Sequence, residues 1–250
     1  MFMTTAEGVF SPVSGGRISS EIVGQIEAAI ASGSLQQGDR LPSERELAEI
    51  FGVSRITLRD ALRTMEALGL LDIRVGATGG AFVQAPPSEV VEKTFGHMVR
   101  LASLDPDEIA EARLAAELNI GNLAVKRATP EDIEALSNAI DMGRKALAEG
   151  SYDTSYSREF HVLLARAAHN RALEILVQSF RGAFSMAAVR AREPADVARR
   201  RSLDEHEQIA KAVIARDAEA VGRALADHFA RSTNLGSRVE DLLGSAYSED

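Results

Sequence analysis

The residues Ser43 to Leu71, SERELAEIFGVSRITLRDALRTMEALGLL, carry an amphipathic pattern that breaks once, at Gly52-Val53, and then resumes. An apolar stripe interrupted by one glycine reads as two helices meeting at a corner. Ser43 and Glu46 form an S-x-x-E capping box, so the first helix starts at Ser43 and runs to about Phe51. Gly52 can take the positive φ that a sharp helix end demands. Val53 can plug the corner, and Ser54 is a good N-cap for the next helix. In that helix Leu58, Ala61, Leu62, Met65 and Leu68 line one face, while Arg55, Arg59 and Arg63 repeat every four residues along another.

The flanks extend this pattern. Upstream, ISSEIVGQIEAAIASG spaces Ile18, Ile22, Ile26, Ala29 and Ile30 for a helix that Gly33 can end. Downstream, LLDIRVGATGGAFVQ reads as two short strands around a Gly-rich tip. Helix, helix, turn, helix, hairpin is the order of a winged helix-turn-helix. APPSE, residues 85–89, is a stiff linker in which two prolines block a continuing helix. From Val90 the pattern is helical, with helices expected near 90–102, 106–127, 130–149, 155–169, 171–192, 196–216 and 218–233. Thr129 and Pro130 supply an N-cap and a proline in the first helical turn. The fold class expected is therefore mainly α: a winged helix-turn-helix followed by an antiparallel all-α bundle. Its parts are a tail at 1–17, the winged domain at 18–84, the linker, a helical domain at 90–235 and a C-terminal tail at 236–250.

Charge sharpens the question of the arginine stripe. The chain of 250 residues carries a formal net charge of -9, which argues against diffuse polyanion binding but not against a local site. Residues 1–87 hold seven Arg and no Lys against ten Asp plus Glu, so even the winged half is acidic. One reading of the stripe is a solvated face partly paired with Asp60 and Glu66. The other is a recognition helix in the DNA major groove, where the planar fork of Arg can donate two hydrogen bonds to guanine O6 and N7. The capped helix, the Gly turn and the hairpin around it favour DNA. Ser54 and Thr57 can then hold phosphates or bases, and Arg45 lies near the backbone.

The absence of Cys excludes disulfides, thiolate catalysis and Cys-ligated zinc. The start MFMTTAEGVFSPVSGGR has no basic region followed by an apolar core, and no apolar run approaches the ~18 residues of a membrane helix. A soluble, cytoplasmic protein without a membrane partner is expected.

The segment LPSERELAEIFGVSRITLRDALRTMEALGLL resembles the DNA-binding domain of the GntR family of bacterial transcription regulators, over roughly Ile18 to Val83. That resemblance implies operator contacts by Arg45, Ser54, Arg55, Thr57 and Arg59. It also implies a wing, here Gly79 and Gly80, over the minor groove, although the family's wing carries a denser Gly run than VGATGGAFV.

His161, His206 and His228 each sit in an amphipathic helical stretch, flanked by Phe160, Ile209 and Phe229. Three neutral imidazoles from three helices can face one metal and leave a position open, or each can be a buried, hydrogen-bonded core histidine. Over roughly residues 100–235 the chain is similar to the ligand-sensing FCD domain of the FadR subfamily. The similarity implies a divalent metal, zinc or nickel, on three His and one Asp beside a pocket for a small carboxylate. Here the Asp position, four residues before the first His, is Ser157. Arg113 matches the family arginine that holds the effector carboxylate; the alternative is a pair with Glu117 at i+4.

The expectation is a homodimeric regulator, a repressor, that binds double-stranded operator DNA under control of a small carboxylate metabolite. A metalloenzyme using the three His is the competing reading. It lacks a base at helical spacing, since Arg158, Leu203 and Leu225 lie three residues before the three His. A DNA architectural protein would leave the helical half idle.

Overall fold

The computed structural model describes residues 18–76, 78–180, 195–232, 235 and 238–247. They fall into two compact units divided after Val90. The expected tail at 1–17 lies outside the described residues.

The first unit is built from α1 (Ile18–Ala31), α2 (Glu44–Phe51) and α3 (Arg55–Ala67), followed by the hairpin β1 (Leu71–Arg74) and β2 (Gly80–Val83). Local chemistry sets the corner between α2 and α3. The Ser43–Glu46 capping box is present, and Gly52 closes α2 in the left-handed region at φ 68°. Ser54 then accepts from the Thr57 amide at 3.1 Å to start α3. Ile22, Ile26, Leu47, Phe51, Leu58, Met65 and Leu71 meet in one fully buried core. Leu68, expected on the apolar face, is instead 47% exposed, because α3 ends at Ala67 and Leu68 is its C-cap. The antiparallel strands pair Leu71 with Val83 and Arg74 with Gly80. The outer side of β2 pairs with the loop before α2, where Leu41 donates to the Ala81 carbonyl at 2.8 Å.

The second unit is helical: α4 (Ser88–Leu101), whose first turn falls before the division, α5 (Pro106–Arg127), α6 (Pro130–Ala148), α7 (Thr154–Ala167), α8 (Arg171–Ser179), α9 (Ala195–Ile214), α10 (Ala218–Ser232) and α11 (Arg238–Tyr247). Helix α4 starts at Ser88, inside the expected linker, since a proline just before a helix already has suitable φ. The expected helix at 171–192 is described as far as Ser179, and its continuation through 181–192 lies outside the described residues. The segment expected as a C-terminal tail contains α11, which corrects that reading. Val239 is buried in the main core with Leu242 and Leu243 packed against it, and Arg238 pairs with Glu111 at 2.9 Å.

Helix α5 is the centre of this unit, packing against α7, α9, α10 and α11. Gly121 permits its approach to α10, since a Cβ there would meet Leu225 at 2.9 Å and Val221 at 3.1 Å. Arg216, in the turn between α9 and α10, donates to the Val125 and Ala128 carbonyls at 2.7 and 2.5 Å, satisfying the open end of α5. Among the described residues no helix is long and apolar enough to cross a membrane.

Gly52→Ala should destabilise the first unit by about 1–2 kcal/mol, the cost of a left-handed conformation for a residue with a Cβ. Faster amide exchange confined to α2 and α3 in the full chain is the expected signature.

Candidate functional site

The residues expected to meet DNA lie on α2, on α3 and in the wing of the first unit. Ser43 and Glu46 cap α2 reciprocally, with the Ser43 amide donating to Glu46 Oε2 at 2.8 Å. Arg45 extends from the first turn of α2 with a 71% exposed side chain, 3.5 Å from Glu49. At the start of α3 the Ser54 and Thr57 hydroxyls lie 2.9 Å apart. Arg55 and Arg59 remain 63% and 47% exposed, and neither has an acid three or four residues away on α3. Both turn to Glu44 at the head of α2. Arg59 donates from Nε at 3.3 Å and from Nη2 at 2.7 Å, and Arg55 Nη2 stands at 3.7 Å. The Arg59 hydrogen bonds hold the Glu44 carboxyl below its ordinary range, so it is ionised. Arg63 is exposed farther along α3. In the wing, Gly79 and Gly80 are half-buried, and the Gly79 carbonyl accepts from Arg40. Gly80 has φ 147°, and a Cβ there would press on the Arg40 guanidinium.

In the second unit three helices bring His161 (α7), His206 (α9) and His228 (α10) together. One ligand atom from each lies within 4.8 Å of the others, and the residues are 2%, 1% and 6% exposed. Two of the three rings are backed by carboxylates. His161 Nδ1 meets Glu117 Oε2 at 2.5 Å, and His228 Nδ1 meets Glu205 Oε2 at 2.7 Å. An ionised carboxylate accepts, so Nδ1 presents its proton to the carboxylate in each ring and Nε2 is the nitrogen left to face a metal. Each carboxylate also meets arginine: Arg113 Nε is 2.5 Å from Glu117, while Arg231 Nε and Arg201 Nε are 2.6 and 3.3 Å from Glu205. His206 is held by stacking, its ring 4.4 Å from that of Phe160 and inclined by 12°. Its Nε2 is buried with no hydrogen-bond partner among the described residues.

The protonation states follow from burial. Burial raises the Glu117 carboxyl, but Arg113 and His161 together outweigh it and bring it to about 2. Burial lowers His161 to about 4 despite the Glu117 charge. His206 is pushed well below its ordinary value by burial and then by His228, His161 and Arg113. Three imidazole nitrogens with one orphaned atom, two of them aimed by carboxylates, fit a borderline divalent ion such as zinc or nickel. Ser157 is half-buried on α7, one turn before His161. Asp153, the nearest upstream carboxylate on that segment, is committed as the N-cap of α7 and accepts from Ser155 at 2.7 Å. Arg113 is 12% exposed at its side chain and lies 5.2 Å over the Phe229 ring, so it belongs to the wall of the histidine cluster.

Residues 18–83 match the family model described as bacterial regulatory proteins, gntR family, and residues 108–231 match the FCD domain. The Uxu operon transcriptional regulator of Escherichia coli strain K12 is 30% identical over 255 aligned positions, covering 96% of each chain. The chain belongs to the GntR family. A GntR helix-turn-helix followed by an FCD domain is the arrangement of its FadR-type subfamily. The HTH-type transcriptional regulator LutR of Bacillus subtilis strain 168 is 26% identical over 225 positions, with 88% of this chain and 99% of that one covered. A solved structure described as Streptococcus agalactiae GntR shares the fold at a TM-score of 0.61 and 22% identity, covering 85% of this chain and 97% of that one. The families and relatives are DNA-binding transcription regulators, not enzymes.

Sequence reasoning did not reach Glu44, Glu205 or Arg40, and it assigned Glu117 only as a partner of Arg113. Glu205 directly precedes His206, so its adjacency to a candidate ligand was a usable signal. Glu44 and Arg40 act across 15 and 39 residues, and no local pattern marks them.

Glu117→Leu removes the charge that Arg113 and His161 share and should destabilise the GntR-family chain by about 3–5 kcal/mol, the range for breaking a buried pair. A lower urea midpoint would report it.

Proposed function

We propose that this GntR-family regulator acts in the cytoplasm as a homodimeric repressor. It binds a two-fold operator and responds to a small carboxylate metabolite at a divalent metal held by His161, His206 and His228. The observation that carries the sensing half is the buried convergence of three imidazoles, one with an orphaned nitrogen and two aimed by carboxylates. When bound, the ion supplies a Lewis-acid anchor for an anionic group. Neutral histidines leave its double positive charge intact, which favours a carboxylate ligand. Arg113, fixed by Glu117, is the second anchor for that ligand. Ser157 brings a hydroxyl where the subfamily has Asp, so that position adds no anion to the ion.

A dimer is supported by the reading geometry. One winged unit makes few base contacts, and two-fold proteins read two-fold half-sites. The operator face rests on Arg45, Ser54, Arg55, Thr57 and Arg59, with Gly79 and Gly80 in the wing. The enzymatic alternative has little support. The two carboxylates nearest the histidines, Glu117 and Glu205, are engaged with imidazole and guanidinium groups, which leaves neither as a ready general base.

Arg59→Ala should lower affinity for a duplex selected by the wild-type protein by about 1–3 kcal/mol, the range for one bidentate base contact. Titration at fixed salt against that duplex and a scrambled one is the check; equal loss on both would mean phosphate binding alone.

Ser157→Asp should tighten metal binding, read by chelator competition with zinc and with nickel, and should weaken the release of DNA by carboxylate ligands. A wild-type chain that takes up neither metal, or a variant with unchanged metal affinity, would remove this account of the site.

A further inference from the structure

The inference rests on the reading of α3 as a base-reading helix and concerns Glu44, a residue which that reading does not include. Glu44 opens α2 directly after the Ser43 cap, and its carboxylate crosses the turn to α3. Oε1 accepts from Arg59 Nε at 3.3 Å and Oε2 from Arg59 Nη2 at 2.7 Å. The other two glutamates of α2 stay on their own segment: Glu46 serves the cap, and Glu49 lies by Arg45 at 3.5 Å.

A guanidinium offers its five N–H donors as two usable forks. One is lateral, from Nε and Nη2; the other is end-on, from Nη1 and Nη2. Glu44 takes the lateral fork. The end-on fork is then the one left to match guanine O6 and N7. Anchoring also removes rotamer freedom from a long side chain before any DNA arrives, so less is lost on binding.

The charge works in the same direction. A bare arginine is attracted to any phosphate, and every DNA sequence presents phosphates. A carboxylate at hydrogen-bond distance cancels much of that attraction and leaves the directional donors in place. Stability is a poor reason for the pair, because its side chains are 47% and 34% exposed and surface pairs contribute little. An acid beside a polyanion is unfavourable unless it aims something.

We propose that Glu44 is a positioning residue for Arg59, which it holds with its end-on fork toward one guanine in each half-site. Glu44 lowers affinity for DNA in general and raises discrimination at that base pair.

The experiment selects binding sites from a random duplex library with four full-length proteins: wild type, Arg59→Ala, Glu44→Gln and Glu44→Asp. Wild type should prefer guanine at one position of each half-site, and Arg59→Ala should lose that preference. Both Glu44 variants should reduce it about tenfold, the scale of one bidentate contact, and keep their preferences elsewhere. Glu44→Gln should also bind a scrambled duplex severalfold more tightly with a steeper salt dependence, because the released cation meets phosphate. Glu44→Asp keeps the charge but is too short to span both nitrogens. It should lose discrimination with little change in salt dependence. If the Glu44 variants retain the wild-type guanine preference while Arg59→Ala loses it, positioning by Glu44 is overturned and base reading by Arg59 stands. If Arg59→Ala also retains it, base reading fails and the proposal falls with it. Uniform weakening at all positions in both Glu44 variants would mean a structural role and would overturn positioning as well.

Discussion

Glu117 is a carboxylate with no solvent exposure, and such a group must be neutralised by whatever surrounds it. Arg113, one turn earlier on the same helix, supplies the opposite charge, and His161 from α7 supplies a hydrogen bond, each at 2.5 Å. The rest of the cluster follows from that pairing. With Nδ1 of His161 committed to the carboxylate, its second nitrogen is the one left for a ligand, and its ring lies 5.0 and 5.2 Å from those of His206 and His228. Glu205 and Arg231 impose the same choice on His228 from the other side. Helix α10 can come near enough only because Gly121 of α5 has no side chain. A single buried charge thus links the packing of three helices to the protonation state of the imidazoles between them.

The parts of this structure legible in the sequence are those decided within a few residues. Ser43, Glu46, Gly52 and Ser54 announce their helix ends because each acts on its own backbone or on an amide three residues away. Arg59 was harder. Spacing along α3 puts no acid three or four residues from it, and its carboxylate comes from α2 across a corner whose angle no propensity encodes. Glu205 and His228 are 23 residues apart and meet only once α9 and α10 pack. Helix α11 was a different kind of miss. Val239, Leu242 and Leu243 have helical spacing, but a stretch near the end of a chain invites reading as a tail unless that spacing is weighed. Arg216 gave no warning either, since its work on α5 depends on a left-handed turn at φ 57°.

The two units share one device at different depths. In each, a carboxylate fixes the orientation of a nitrogen donor or ligand that would otherwise sample several rotamers. Glu117 does this for His161 in the core, where breaking its ion pair strands a charge, and Glu205 does it for His228 beside a half-exposed Arg231. Glu44 does it for a guanidinium in water, where the pair adds little to folding and its effect lies in direction. Ser157 fits beside this pattern. Among the residues nearest the histidines the acids are spent on aiming, and the position where the subfamily keeps a further acid holds a hydroxyl instead.

The acidity of the first unit bears on how such a protein spends its time in a cell. A chromosome offers vastly more unrelated sequence than operator, and a strongly cationic reading head would be held on that excess. With ten acids against seven arginines in residues 1–87, and with Arg59 bonded to one of those acids, attraction to arbitrary sequence is kept low. Each wrong encounter is then brief, and a larger share of the molecules stays free in solution.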